Sequence, residues 1–227
     1  MSILDPMPPP APRRSDVLFR ADNDHWSANA CMSNRSESDL PYLWGYRSGA
    51  RLLAEHVCER ATEQDLLVYP IVYLYRHHVE LALKRLLILA ANLAQEELDR
   101  KCLNDLSGHH IGQLWSDCKR ILTAPEIQNS CGFTLPIEDT EGIDSYIRQL
   151  STVDPDAQAF RYARDKKGRA SLPDSLTHIN IAVFADHMER LCSHLDGIDS
   201  YLDHMREIRD EMEAEARSEY MDYYNPY

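Results

Sequence analysis

Tyr69-Pro70-Ile71-Val72-Tyr73-Leu74-Tyr75-Arg76-His77-His78-Val79-Glu80-Leu81-Ala82-Leu83-Lys84-Arg85-Leu86-Leu87-Ile88-Leu89 decides the class of this fold. Its apolar side chains recur at helical spacing on more than one side, so it reads as a helix central in a bundle. Val72, Tyr75, Val79, Leu83, Leu86 and Leu87 make one stripe. Ile71, Leu74, Leu81 and Ile88 make a second. Charges are set into this apolar surface. Arg76, Glu80 and Lys84 stand at i, i+4 and i+8, in one row along the helix, with His77 and His78 beside it. A buried charge is costly unless paired. The row is therefore either a structural ion network or a working site.

Further helical patterns flank this one. Ser38-Asp39-Leu40-Pro41 is a cap followed by a proline in the first turn, and it predicts a helix to about Ala61. Gly45 and Gly49 in that helix suggest a close approach to a neighbour. The central helix is expected from Asp65 or Pro70 to about Leu93. Ile111, Leu114, Trp115, Cys118, Ile121 and Leu122 form a clean amphipathic stripe, ended by Pro125. A fourth helix is expected over about Ile137 to Ser151. A last helix should start after Pro173-Asp174-Ser175 and run to about Ala216, with a break near Gly197. Between the last two, Phe160 and Tyr162 alternate with Arg161 ahead of an Asp165-Lys166-Lys167-Gly168 turn, a β-hairpin pattern. The expected class is all-α: a bundle of about five helices with a small β-hairpin insertion. Residues 1–38, rich in Pro, Ser and charge, read as a flexible arm. Residues 39–206 read as the bundle and 207–227 as an acidic tail.

Composition narrows the function. With 24 Lys and Arg against 37 Asp and Glu, the net charge is -13. Phosphate repels such a chain, which argues against nucleic-acid binding over its whole surface. The acid is concentrated between Glu207 and Asp222, so a local basic patch remains open. The 6 cysteines form no CxxC, and their spacing fits neither a zinc site nor a disulfide framework; they read as small buried apolar residues of a reducing compartment. No signal peptide and no uncharged membrane-length apolar run occurs, so a cytoplasmic protein with no membrane partner is expected. HExxH, P-loop, GxGxxG and GxSxG patterns are missing, and no metal or cofactor is expected.

Three constellations can carry chemistry. The first is Tyr73, Arg76, His77, His78, Glu80 and Lys84 on the central helix, where imidazole can donate or accept a proton. The second is His109-His110 ahead of the next amphipathic helix, a place that also attracts phosphate. The third is Arg161, Arg164, Lys166, Lys167 and Arg169, the one dense basic cluster, interleaved with Phe160 and Tyr162 and suited to RNA. Each also has a plain structural reading: an ion ladder, a capping loop and a solvated turn.

Four segments together resemble bacterial helical proteins of the HEPN superfamily. They are Tyr46-x-x-Gly49-Ala50, Pro70 to Lys84, Gly108-His109-His110-Ile111-Gly112-Gln113-Leu114-Trp115, and Phe160-Arg161-Tyr162 with Lys166-Lys167-Gly168. The resemblance covers roughly residues 40 to 205. It implies a helical bundle, often dimeric, and in many members a metal-independent RNase of toxin–antitoxin or anti-phage defence systems. The family signature is Arg, a short spacer, then His. Arg20 to His25 and Arg51 to His56 match it, whereas Arg76 is followed by His at once. Transferred to this chain, the activity assigns Arg76, His77 or His78 to the scissile phosphate and proton transfer, with Glu80 in the same row and His109 assisting. The other expectation is a non-catalytic subunit of a defence or regulatory complex, homo-oligomeric or bound to a partner. Its contact element would be the acidic C-terminal helix with Tyr220, Tyr223, Tyr224 and Tyr227.

Overall fold

The computed structural model describes residues 11–32 and 39–224, with side chains as far as residue 221. The side chains of Tyr223, Tyr224 and Tyr227, and the arm residues 1–10 and 33–38, lie outside the described residues. The chain divides after Asp39 into two units. In the first, Trp26–Ala28 forms a single 3-10 turn, and Asp22 and Asn29 exchange hydrogen bonds across it at 2.9 and 2.8 Å.

The second unit is all-α. Its helices are α1 Leu40–Arg60, α2 Gln64–Ala94, α3 Arg100–Ser107, α4 Ile111–Leu122, α5 Pro125–Cys131, α6 Ile137–Val153 and α7 Ile181–Tyr224. The central helix is α2, as its apolar pattern demands. It packs on α1, α7, α4 and α5, and Ile71, Tyr75, Leu83, Leu86 and Leu87 are fully enclosed. It continues through Pro70. The proline leaves the Leu66 carbonyl without its helical donor, and that turn lies where Leu66 faces water, so the cost is small. Of the two glycines expected to bring helices close, Gly49 faces Leu74 at 3.6 Å, whereas Gly45 faces open space.

Polar ties join the outer helices to this core. Arg47 of α1 donates to Glu189 at 2.6 Å, to Ser193 at 2.7 Å and to Asp196, all on α7. The Tyr75 hydroxyl of α2 donates to the same Glu189 at 2.9 Å. Burial, with the Glu189 carboxylate beside it, pushes the Tyr75 phenol well above its ordinary value. Arg85 of α2 reaches Asp199 and Asp203 of α7 at 2.7 and 2.8 Å.

The described bundle has seven α-helices rather than about five. The two extra ones are short and were hidden in connections. Asp99 caps α3 by accepting from the Cys102 N–H at 2.8 Å. Pro125 does not merely end α4: it opens α5, where its missing N–H costs nothing. The start of α7 also moves, to Ile181, because Asn180 supplies the cap, its side chain accepting from the Val183 N–H at 3.1 Å. This helix passes Gly197 without a break and carries the acidic segment with it.

No strand forms among the described residues, so the expected β-hairpin is corrected to a side-chain-stapled loop. One antiparallel bridge joins Arg164 and Ala170. The Asp165 N–H donates to the Arg169 carbonyl at 2.9 Å and the Ser171 N–H to the Ala163 carbonyl at 3.2 Å beside this bridge, and carboxylates take the N–H groups next to them. Asp165 accepts from the Lys167 and Arg169 N–H groups at 2.8 and 2.9 Å. Asp154 accepts from the Gln158 and Ala159 N–H groups and folds that side into a turn. The cysteine expectation also divides: Cys102, Cys118, Cys131 and Cys192 are buried, while Cys31 and Cys58 are exposed. No described helix is long and apolar enough to cross a membrane.

Candidate functional site: a basic cleft over a buried ion network

The α2 charge row turns inward at its first two members. Arg76 is 0% exposed and Glu80 1%. Arg76 uses every guanidinium nitrogen. Nη1 donates to Glu80 Oε2 at 2.9 Å, Nη2 to the His109 carbonyl at 2.6 Å, and Nε to the Asp154 carbonyl at 3.1 Å. Nε also lies 3.4 Å from Asp154 Oδ2. One side chain thus ties α2 to the turn before α4 and to the loop after α6. The planar fork of arginine suits this divergent task better than a lysine would.

Glu80 is the other hub. Its Oε1 accepts from Lys84 Nζ at 3.0 Å and from His109 Nδ1 at 2.9 Å. Burial alone would raise this carboxyl. The hydrogen bonds from His109 and Lys84 outweigh it and hold the group below its ordinary value. An ionised Glu80 only accepts, so Nδ1 of His109 carries the proton. Nε2 is then the free nitrogen, on a ring that is 52% exposed.

His109 opens onto a cleft of about 900 Å³ walled by the 155–171 loop. Arg164, Lys166, Lys167 and Arg169 line it, with Tyr162 among them. Between Phe160 and Ser171 there are five cations and one acid in a chain of net charge -13. Arg169 pairs with Asp165 at 2.7 Å, and Arg164 donates to the Gly168 carbonyl at 2.8 Å. No ion pair engages Lys166 or Lys167 among the described residues. The loop is fixed to the bundle at two points. The Asp154 carboxylate gathers its first turn, and Phe160 packs with Val72 and Ala159 in a small apolar cluster on α2.

The remaining predicted residues go elsewhere. His77 is half-buried between Tyr46 and Tyr73, with ring centroids 4.4 and 5.7 Å away, and burial lowers its pKa. His78 is fully enclosed; its Nδ1 donates to the Leu43 carbonyl at 2.9 Å and burial lowers its pKa. His110 has Nδ1 3.1 Å from the carbonyl of Pro155, which itself lines the cleft. Arg161 lies over Tyr73 and Tyr162, at 5.4 and 5.2 Å from their centroids. The two Arg-spacer-His matches do not assemble a site. On α1, Arg51 pairs with Glu55 and His56 with Glu63; Arg20 and His25 are exposed in the N-terminal unit.

The structure therefore joins Arg76, Glu80 and His109 in one network and has Arg164, Lys166, Lys167 and Arg169 line the same cleft as His109. It separates His77 and His78 from that network. Asp154 was missed at the sequence level. Its only signal was an Asp-Pro-Asp loop following a helix, which is common and says nothing of a partner 78 residues away. No group of three or more His, Cys, Asp or Glu arranged for a metal occurs among the described residues. The chain matches no protein-family model, no curated protein and no solved structure.

Proposed function

We propose that this protein binds RNA by its phosphate backbone in the basic cleft and cleaves it there without metal, as a component of a bacterial defence or toxin system of the kind the HEPN resemblance implies. The observation that carries the reading is the His109–Glu80 pair at the cleft: an exposed imidazole that lines the cleft and is oriented by a buried carboxylate through Nδ1. A base held by a third group is the arrangement acid–base catalysis needs. In the reaction, His109 Nε2 takes the proton of the RNA 2′-hydroxyl. The 2′-oxygen attacks the adjacent phosphorus, the bond to the 5′-oxygen breaks, and solvent protonates that oxygen, leaving a 2′,3′-cyclic phosphate. Lys166 and Lys167 offset the charge on the phosphate. Arg76 contributes by holding the frame, since its guanidinium has no face open to a ligand.

The test is incubation of labelled RNA with the full chain in EDTA. Strand scission with cyclic-phosphate ends is expected; intact RNA at micromolar protein overturns the cleavage. Binding is measured separately over a salt series. Lys166→Ala with Lys167→Ala is expected to weaken it and to reduce the salt slope by about one per lost phosphate contact. An unchanged slope would remove these lysines from the backbone contact.

A second reading, a non-catalytic subunit of a complex, is favoured by α7. From residue 207 to residue 221 it is largely exposed, including Met212 and Met221 at 65% each. An interaction element amid acid suits a basic protein partner. Deletion of residues 207–227 is expected to abolish co-purification with such a partner and to leave RNA binding intact; an undiminished complex would sink this reading.

A further inference from the structure

Four side chains form a continuous file from the bundle to the cleft. His77 and Tyr73 on α2 stack with planes 7° apart and centroids 5.7 Å apart. The Arg161 guanidinium lies over Tyr73 at 5.4 Å and over Tyr162 at 5.2 Å. Tyr46 closes the inner end edge-on to His77 at 4.4 Å. The outer end is open: Tyr162 is 51% exposed and lines the cleft. Nothing in the reaction above uses this file.

We propose that the outer face of Tyr162 is a stacking subsite for an unpaired nucleobase of the strand whose backbone lies in the cleft. The subsite rests on the reading of that cleft as an RNA-backbone site and names the form of RNA it takes. Arg161 makes no ion pair among the described residues, and two aromatic faces set its position instead. It also donates to the Tyr162 hydroxyl at 3.3 Å. An exposed tyrosine would ordinarily sample rotamers. This one is braced from behind, so stacking on it costs little ordering entropy. A guanidinium against one ring face also polarises the ring towards a π partner on the other. The neighbouring cations demand an anionic ligand, and the ring demands an exposed π face. A single strand offers both, whereas a duplex hides its base faces in the stack.

The experiment uses the full chain, fluorescence anisotropy and two short 2′-O-methyl strands, which cannot be cleaved. One carries uracil throughout; the other is abasic with the same number of phosphates. The uracil strand is expected to bind about tenfold tighter or more, the size of one base–aromatic stack. Tyr162→Ala should bring it down to the abasic level and leave abasic binding unchanged. Tyr162→Phe, which keeps the ring, should retain the preference. Lys166→Ala with Lys167→Ala should weaken both strands alike. Equal binding of the two strands by the parent chain, or equal weakening of both by Tyr162→Ala, overturns the subsite and leaves the backbone reading standing. Tighter binding of the uracil strand after it is annealed to its complement overturns the unpaired base. Binding of neither strand overturns the backbone reading itself.

Discussion

Arg76→Ala is expected to lower the thermal midpoint by roughly 10 °C, read by circular dichroism. Removing one partner of a buried ion pair costs about 3–5 kcal/mol, because the other charge stays buried without its counter-ion. For a chain of this size each kcal/mol moves the midpoint by about 2–4 °C. Here the loss falls on Glu80 and on two carbonyls, those of His109 and Asp154, that lose their donor together. Arg76→Met combined with Glu80→Leu should recover part of the loss, since one of the two enclosed carboxylates is then removed, while Asp154 keeps the Gln158 and Ala159 N–H donors. An Arg76→Ala chain that melts with its parent would show that the guanidinium is free for chemistry. The same network sets an acid limit. The folded Glu80 carboxyl ionises below its ordinary value. Its contribution to stability is therefore complete above the ordinary carboxyl range and is lost as pH falls through the folded value. The midpoint should drop below about pH 4, and less steeply in the double variant, which lacks the carboxylate.

His109→Ala is expected to slow RNA cleavage by about 100- to 10,000-fold, the usual worth of a positioned acid–base group. The loss should fall equally on kcat and kcat/KM, since the ring acts only in the transition state. Folding should survive, because the ring is half exposed and its backbone carbonyl, which Arg76 needs, is retained. Binding of the non-cleavable uracil strand should change by no more than about twofold, since Lys166 and Lys167, the proposed phosphate contacts, are unchanged. His109→Gln keeps a donor towards Glu80 but cannot take a proton at neutral pH, and it should be as slow as His109→Ala. If cleavage persists in both, the proton is moved by another group and the His109–Glu80 pair is structural.

These two expectations reverse the weights that the α2 pattern suggests. Read as a row, Arg76, His77, His78, Glu80 and Lys84 look like one site. Helix geometry does put Arg76, Glu80 and Lys84 on one line, and they do interact. It also sends His77 and His78 to other sides, one to Tyr46 and Tyr73, the other to the Leu43 carbonyl. Spacing along a helix reports direction but not what waits in that direction. The basic cluster was legible as charge, and its arrangement was not. A pattern of alternating residues looked like a hairpin, yet pairing stops at one bridge, and Asp154 and Asp165 satisfy neighbouring N–H groups locally.

The sequence by itself determined the all-α class, the near-complete extents of α1, α2 and α4, and the presence of a charged row in an apolar helix. These follow from interactions three and four residues apart, which any stretch of chain carries within itself. Only the tertiary structure decided that Arg76 and Glu80 are enclosed, that His109 reaches Glu80 across 29 residues, and that Asp154 meets Arg76 across 78. It alone set the basic loop against that histidine. Such pairings depend on how helices dock. Docking is chosen by the fit of whole apolar faces, and one-dimensional periodicity records that a face exists without recording its partner.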